Sequence, residues 1–532
     1  MGVASSDELS GIAAKTARGG LFLFIGNTFA TVVLAVGSII IARLLGPSSF
    51  GLYGLTLFVP VLLVSFADAG MSYALVRLPA KLRSERDYEG TNRSIRLGFL
   101  LKISLSVMAF LICYFGAEMI ATAVLNRSEL APYLRVASVL IVSQAVFDAA
   151  SYSFIGLELM EYSASMQILY SILKSVLAPV FILLGFGLAG AVAGYVLGIL
   201  VAGVAGAVIL FVKHVHPTRG VRSPSSVKLG SLLGYGLPLY LAAVLTVLLG
   251  QYQNIVLAYF ATNTQIGNFN AAWNFNALLM ILVYPITIAI FPMFSKMDPK
   301  NQADLARAFG FAVKYASLVL IPSSIAVVVF SRDVMHVTYG SSYTSAPQYL
   351  IILSTLYLLT GLGGTRDSIL GSFFYGVAET GAVLKMSVLT LAIYLPLGLA
   401  LTWVWGPFGL LIAYVLSAAS STVYGVRQAS AKFGARPDVK ASGRVLLASL
   451  GAAVPTIVLI QLGGMATGIV NLAIGGPLYL VVYLTLAPVL GAVDKSDIIN
   501  LRTILCRRRI VARLASPVFD YEAKLLSAMG RD

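Results

Sequence analysis

The groups in this sequence whose type and position could do chemistry are charged residues set inside long apolar runs. Lys174 stands in LYSILKSVLAPV, Asp148 in SQAVFDAASY and Asp68 in SFADAG, while Arg366 and Asp367 follow GLGG at 361–364. A charge near the centre of a bilayer costs at least ~2.5 kcal/mol on insertion scales, so such groups face a polar cavity or a partner. Lys174 lies about 11 residues into its run, ~16 Å at 1.5 Å per residue, too deep for easy snorkelling. It would attract an anion such as a diphosphate, or else form a buried ion pair with Asp148. Asp68 either carries an exchangeable proton or holds a basic side chain. Adjacent helical residues point ~100° apart, so Arg366 and Asp367 are not expected to satisfy each other. The glycines before them either unwind the helix, freeing backbone groups, or make a small-residue packing surface.

Amides and an aromatic ring form a second constellation, NFNAAWNFN at 268–276. Asn270 and Asn274 are one helical turn apart, with Trp273 beside them. That set suits sugar hydroxyls and apolar sugar faces, or alternatively hydrogen bonds between helices. Arg43, at the end of the first apolar run, could hold a phosphate or end its helix in water.

The elements that must position these residues are membrane spans. The 532 residues are 58% hydrophobic and 11% charged, with a mean hydropathy of +0.89, against roughly one quarter charged in a soluble domain. Windows of ~20 apolar residues give about fourteen spans, the first two at 20–42 and 49–76, the third at 97–118, the fifth to seventh at 163–185, 188–212 and 231–260, and the tenth at 346–374. The polar first 19 residues do not read as a cleaved signal, so the first apolar run is expected to be retained. Nearly all of the 37 basic residues fall on one side if both termini are cytoplasmic; Arg43, Arg127, Arg135 and Arg332 fall outside. Lys102 is grouped with the inner-loop basic residues. The net charge of +15 reads as topology signals and contacts with anionic inner-leaflet lipids, not as a nucleic-acid surface. The two cysteines, Cys113 and Cys506, are too far apart to pair and have no metal-ligand neighbours.

An internal repeat organises the spans. Ala42 and FGLY at 50–53 recur as Ala258 and IGNF at 266–269, and GAVAGYVLG at 190–198 resembles GLLIAYVLS at 409–417. The shifts, 216 and 219, argue for a duplicated six-span unit in parallel orientation. The expected all-α architecture is two six-helix bundles with pseudo-two-fold symmetry around a central cavity, plus a terminal helix pair. Residues 1–19 form a cytoplasmic N-terminal segment, 20–212 and 231–427 the bundles, 213–230 a cytoplasmic linker and 428–491 the terminal pair. Residues 492–532, with CRRRI at 506–510, form a basic amphipathic tail suited to an anionic membrane surface.

ARLLGPSSFGLY at 42–53, FADAGMSYALVR at 66–77, IGNFNAAW with FPMFSK at 291–296, and YGSSYTSAPQYL at 339–350 together resemble the polysaccharide and oligosaccharide-lipid flippases. These belong to the multidrug/oligosaccharidyl-lipid/polysaccharide exporter superfamily. The resemblance extends over all the spans. It implies a plasma-membrane translocase, without cofactor, that moves a polyprenyl-diphosphate-linked glycan outward by alternating access. It also implies a coupling cation or proton, and glycan polymerase or transferase partners. Arg43, Lys174, Arg366, Asn270, Asn274 and Trp273 are the expected cavity residues; Asp68, Asp148 and Asp367 are expected to serve coupling or ion pairing. Many members carry an acid in the seventh span where this chain has neutral Gln253 and Asn254. These two are read as cavity-lining, and the acid's cation role is not carried over.

Competing classes are a membrane-embedded polysaccharide polymerase or glycosyltransferase, and a drug/cation antiporter or peptidoglycan-precursor flippase of the same superfamily. The first needs a carboxylate-rich or basic cluster on an extended outer loop, whereas Glu118, Glu129 and Asp333 are the only acids placed there. No GxxxxGK[ST] loop supports an ATP-driven pump. His214 and His216 in KHVHP lack a third ligand and are expected to be solvated.

Overall fold

A computed structural model describes residues 6–215, 247–248, 250–298, 301–462, 468–505 and 509–529. Of the described residues 90% are helical and none is in a strand, and nine of the described helices are long and apolar enough to cross a membrane. Two of these, Phe22–Ala67 and Met160–Val215, each hold two of the expected spans. Large apolar side chains such as Phe115 (77% exposed), Leu183 (72%) and Trp403 (76%) point outward, which is tolerable against hydrocarbon and not against water. The protein is an all-α, multi-pass membrane protein. Most of the expected linker, the start of the seventh span, and Cys506, Arg507 and Arg508 lie outside the described residues.

The helices in chain order are α1 Ser6–Ala67, α2 Met71–Ser84, α3 Tyr88–Phe115, α4 Ala131–Gly156, α5 Met160–Phe181 and α6 Gly187–Ile209. There follow α7 Asn263–Ser295, α8 Gln302–Thr338, α9 Ala346–Ser354, α10 Ile369–Gly376, α11 Thr380–Trp405 and α12 Pro407–Phe433. The terminal pair is α13 Val439–Leu462 and α14 Gly468–Val489, and the tail is α15 Lys495–Leu505 and α16 Arg509–Ala528.

Three breaks in the backbone redirect the apolar runs. Gly46 (φ 72, ψ 169) interrupts α1 in a conformation open to glycine, and Pro47 then starts the next segment with its φ already set. The second apolar run, expected to continue to residue 76, instead stops at Ala67. Ala69 (φ 45) and Gly70 (φ 79) turn the chain through left-handed conformations before α2, so Asp68 sits at a helix break and not in mid-span. The third break splits the expected tenth span. After α9 the chain tightens into a 3-10 run, Thr355–Leu362, turns at Gly363 (φ 118) and Gly364 (φ 79), and resumes as α10. Gly371 is required there, because a Cβ would lie 1.8 Å from the Arg366 carbonyl oxygen.

The chain divides into two compact units, Met1–Asn270 and Ala271–Asp532. In the first, close helix approach depends on small residues, as is usual where lipid supplies no hydrophobic drive between helices. A Cβ on Gly194 would fall 2.4 Å from the Ala178 backbone, one on Gly198 2.8 Å from Lys174 N, and one on Gly26 2.8 Å from Ala164 Cβ. In the second unit, Phe373 meets Phe294, Phe309 and Phe433 at centroid distances of 5.0, 5.1 and 5.5 Å. The terminal pair is tied to α8 through a proline. Pro322 has no N–H to give the Leu318 carbonyl, and the Tyr483 hydroxyl donates to that oxygen at 2.9 Å, while Tyr479 donates to Pro322 O at 2.9 Å. The tail helix α16 buries Phe519, Glu522 and Leu526 against the same cluster as α14.

Candidate functional site

In the first unit the break at Asp68 places its carboxylate against α3. Lys102 is 1% exposed; its ammonium donates to Asp68 Oδ1 and to Ser72 Oγ at 2.7 Å, and lies 3.6 Å from Asp148 Oδ2. Ser72 donates to Asp68 at 2.5 Å, and Gln144 Nε2 donates to Asp148 Oδ1 at 2.9 Å. The Tyr152 ring covers the ammonium at 5.6 Å. Two carboxylates thus share one buried ammonium inside the unit. Lys102, expected among the inner-loop cations, is instead buried between α3 and these carboxylates. Helix α3 begins at Tyr88, nine residues before the expected span at 97, which carries Lys102 about 21 Å along the helix.

Asp148 is therefore taken by Lys102 and Gln144, and the expected alternative of a Lys174–Asp148 ion pair is not formed. Lys174 has no ion pair among the described residues. Its ammonium sits 3.8 Å from the centroid of the Tyr195 ring and 5.9 Å from that of Tyr170, a cation–π enclosure that partly replaces lost hydration. The Tyr53 hydroxyl, in the same unit, is buried without a hydrogen-bond partner among the described residues. An ammonium without a carboxylate and a hydroxyl without an acceptor, among the described residues, are the kinds of donor an anion needs. No periodicity in the sequence singled out Tyr53, Tyr170 or Tyr195, because aromatics in a span read as packing.

In the second unit the break after Gly364 brings Arg366 and Asp367 together, contrary to expectation. Arg366 Nε donates to Asp367 Oδ1 at 3.1 Å and Nη2 to Oδ2 at 3.2 Å. The expectation assumed helical spacing, whereas residues 366–367 lie in a turn whose geometry lets neighbouring side chains converge. Both line a cavity of ≈ 110 Å³ together with Asn276, Tyr357, Thr390 and Tyr414. Trp273 packs at 5.5 Å from Tyr414.

The other expected residues are dispersed. Asn270 fits against Gly54, whose Cβ would lie 2.3 Å from its Nδ2, so it serves helix packing. Asn274 and Gln253 are partly buried, Asn254 donates to Gln251 at 2.7 Å, and Arg43 is exposed. His214, expected to be solvated, lies against the rings of Tyr162 and Phe154 at 5.5 and 6.1 Å.

The fold and these buried polar groups define the class: a multi-pass α-helical protein with a transporter fold. It shares that fold with a lipid II flippase, MurJ, in an inward closed conformation, at TM-score 0.68 and 14% identity over 88% of this chain and 99% of that one. An inward-facing multidrug resistance MATE transporter of the MOP superfamily matches at TM-score 0.61 and 22% identity, over 76% and 95% of the two chains. Residues 16–298, more than half of the chain, match the polysaccharide biosynthesis protein family, and the chain belongs to that family. Among curated relatives, a probable flippase, AglR, of Haloferax volcanii is 22% identical over 81% of this chain and 87% of its own length. A probable low-salt glycan biosynthesis flippase, Agl15, of the same organism is 27% identical over 32% of this chain, spanning about a third (35%) of that protein.

Proposed function

We propose that this protein is a flippase that carries a lipid-linked glycan across the membrane, with the glycan joined to a polyprenyl carrier through a diphosphate. The observation that carries the diphosphate reading is Lys174, a cation within the membrane held by tyrosine rings instead of a carboxylate. Its ammonium and the Tyr53 hydroxyl would meet the diphosphate, while the prenyl chain stays in lipid. Movement is by alternating access of the two halves of the chain. A proton exchanging on the Asp68–Lys102–Asp148 group supplies direction, since that group holds one carboxylate more than its ammonium can neutralise. The membrane is the plasma membrane, and both termini are cytoplasmic.

The test is a null strain in which lipid-linked glycan is quantified on each face of the membrane. Accumulation on the inner face, with full-length repeat units, is the expected result; undersized glycan with normal translocation would favour a polymerase and overturn the proposal. Lys174→Ala is expected to abolish translocation while the protein accumulates to its normal level. Loss of folded protein would instead assign Lys174 a structural role.

A further inference from the structure

The cavity beside the broken helix in the second unit has a size and lining that specify more than a general polar site. A closed cavity of ~150 Å³ accepts a benzene ring, so ≈ 110 Å³ is the scale of a substituent on a sugar ring, with the ring itself at the mouth. Four aliphatic side chains, Val283, Leu320, Leu356 and Ala418, contribute to its wall. The polar lining groups have part of their hydrogen-bonding capacity already committed. Thr390 and Ser421 give their hydroxyl protons to Met386 O at 2.9 and 3.1 Å, which leaves lone pairs to accept from an N–H. Arg366 commits Nε and Nη2 to Asp367, which leaves the Nη1 protons to donate to a carbonyl. Asn276 accepts from Tyr357 through Oδ1 at 3.1 Å, and its NH₂ remains a donor.

We infer that this cavity takes the acetamido group of an N-acetylated sugar in the translocated glycan: methyl against the aliphatic wall, carbonyl toward Arg366 or Asn276, amide N–H toward Thr390 or Ser421. A hydroxyl or hydroxymethyl group in its place would leave the aliphatic wall without an apolar partner. Tyr414, with Trp273 and Tyr394 each 5.5 Å from it, offers an aromatic face for the sugar ring itself. The inference rests on the flippase reading and adds a substrate class to it.

The experiment measures equilibrium binding of three probes to the purified full-length protein in detergent: farnesyl diphosphate, and its N-acetylglucosaminyl and glucosyl derivatives. The N-acetylglucosaminyl probe is expected to bind about tenfold tighter than the glucosyl one, or ~1.4 kcal/mol. Ala418→Leu, which fills the cavity, and Thr390→Val, which removes an acceptor, are each expected to bring the ratio close to one. Equal binding of the two sugar probes by the parent protein would overturn the inference while leaving the flippase reading intact, as would a ratio unchanged in both variants. Failure of all three probes to bind would remove the flippase reading, and this inference with it.

Discussion

Gly51 and Gly267, 216 positions apart, make the same contact on each other's segment. A Cβ on Gly51 would lie 2.1 Å from Asn263 O, and a Cβ on Gly267 1.8 Å from Pro47 O. Pro47 and Asn263 are themselves 216 positions apart, as are Gly54 and Asn270, which also touch. Each residue thus meets its own repeat counterpart or that counterpart's neighbour, the reciprocal pattern that a local two-fold axis imposes. The GPSSFG break is accordingly one half of a paired crossing. Its glycines are present because any side chain would strike a carbonyl oxygen of the other segment.

Replacing either glycine by alanine is expected to force the two segments apart at a cost of about 1–3 kcal/mol, the range for overpacking. Thermal unfolding in detergent measures it. Because the two methyl groups enter one crossing, the double variant should cost less than the sum of the single ones. Strict additivity would mean that the two contacts are independent.

Lys102→Met would leave Asp68 and Asp148 facing each other without a cation. Removing one partner of a buried ion pair costs ~3–5 kcal/mol, so a steep fall in folded, monodisperse protein is expected. Adding Asp68→Asn and Asp148→Asn to Lys102→Met should restore most of it, since the neutral side chains need no counter-ion. If Lys102→Met alone accumulates like the parent, the charges are not held by mutual pairing.

The Arg366–Asp367 pair makes the opposite prediction for stability. Asp367 is 61% exposed at its side chain and Arg366 29%, so solvent screens the pair. Asp367→Asn is expected to change the unfolding temperature by no more than the ~0–1 kcal/mol typical of exposed pairs. Its effect should appear instead in binding of the N-acetylglucosaminyl probe, because an Asn leaves one acceptor oxygen for the two Arg366 donors and faces the other with an NH₂.

At the tail, Glu522 is 4% exposed, and burial, with a smaller contribution from Asp497, raises its pKa to about 7. A raised carboxyl stabilises the docked helix fully below its unfolded value and loses that contribution as pH rises through the folded one. Asp494 behaves oppositely. Burial works against it, but hydrogen bonds from Ser496 and Lys314 outweigh burial and bring it down to about 2, so its contribution is lost only in strong acid. Docking of α16 should therefore weaken between about pH 5 and 8, seen as faster hydrogen exchange in residues 509–529. Glu522→Gln should remove that dependence; exchange that stays pH-dependent in this variant would assign it elsewhere.

The features readable from the sequence alone come from terms that act locally. Span-length apolar runs must be helices in hydrocarbon because every backbone group needs an internal partner. The turn at Gly46 and Pro47 follows from glycine and proline stereochemistry, and the cost of a charge in the bilayer singled out Asp68, Asp148, Lys174 and Arg366. The pairing of those charges is a matter of which helices meet, and one-dimensional spacing carries no information on that. Lys102 took Asp148 because α3 starts earlier than hydropathy alone suggested and packs beside α4. Lys174 was left to Tyr170 of its own helix and Tyr195 of α6, and Arg366 met Asp367 because the backbone between them is not helical. Asn270, chosen for its amide, was turned to packing by a glycine 216 residues away. Local stereochemistry and desolvation cost are written along the chain, whereas the partner that relieves each cost exists only once distant helices pack.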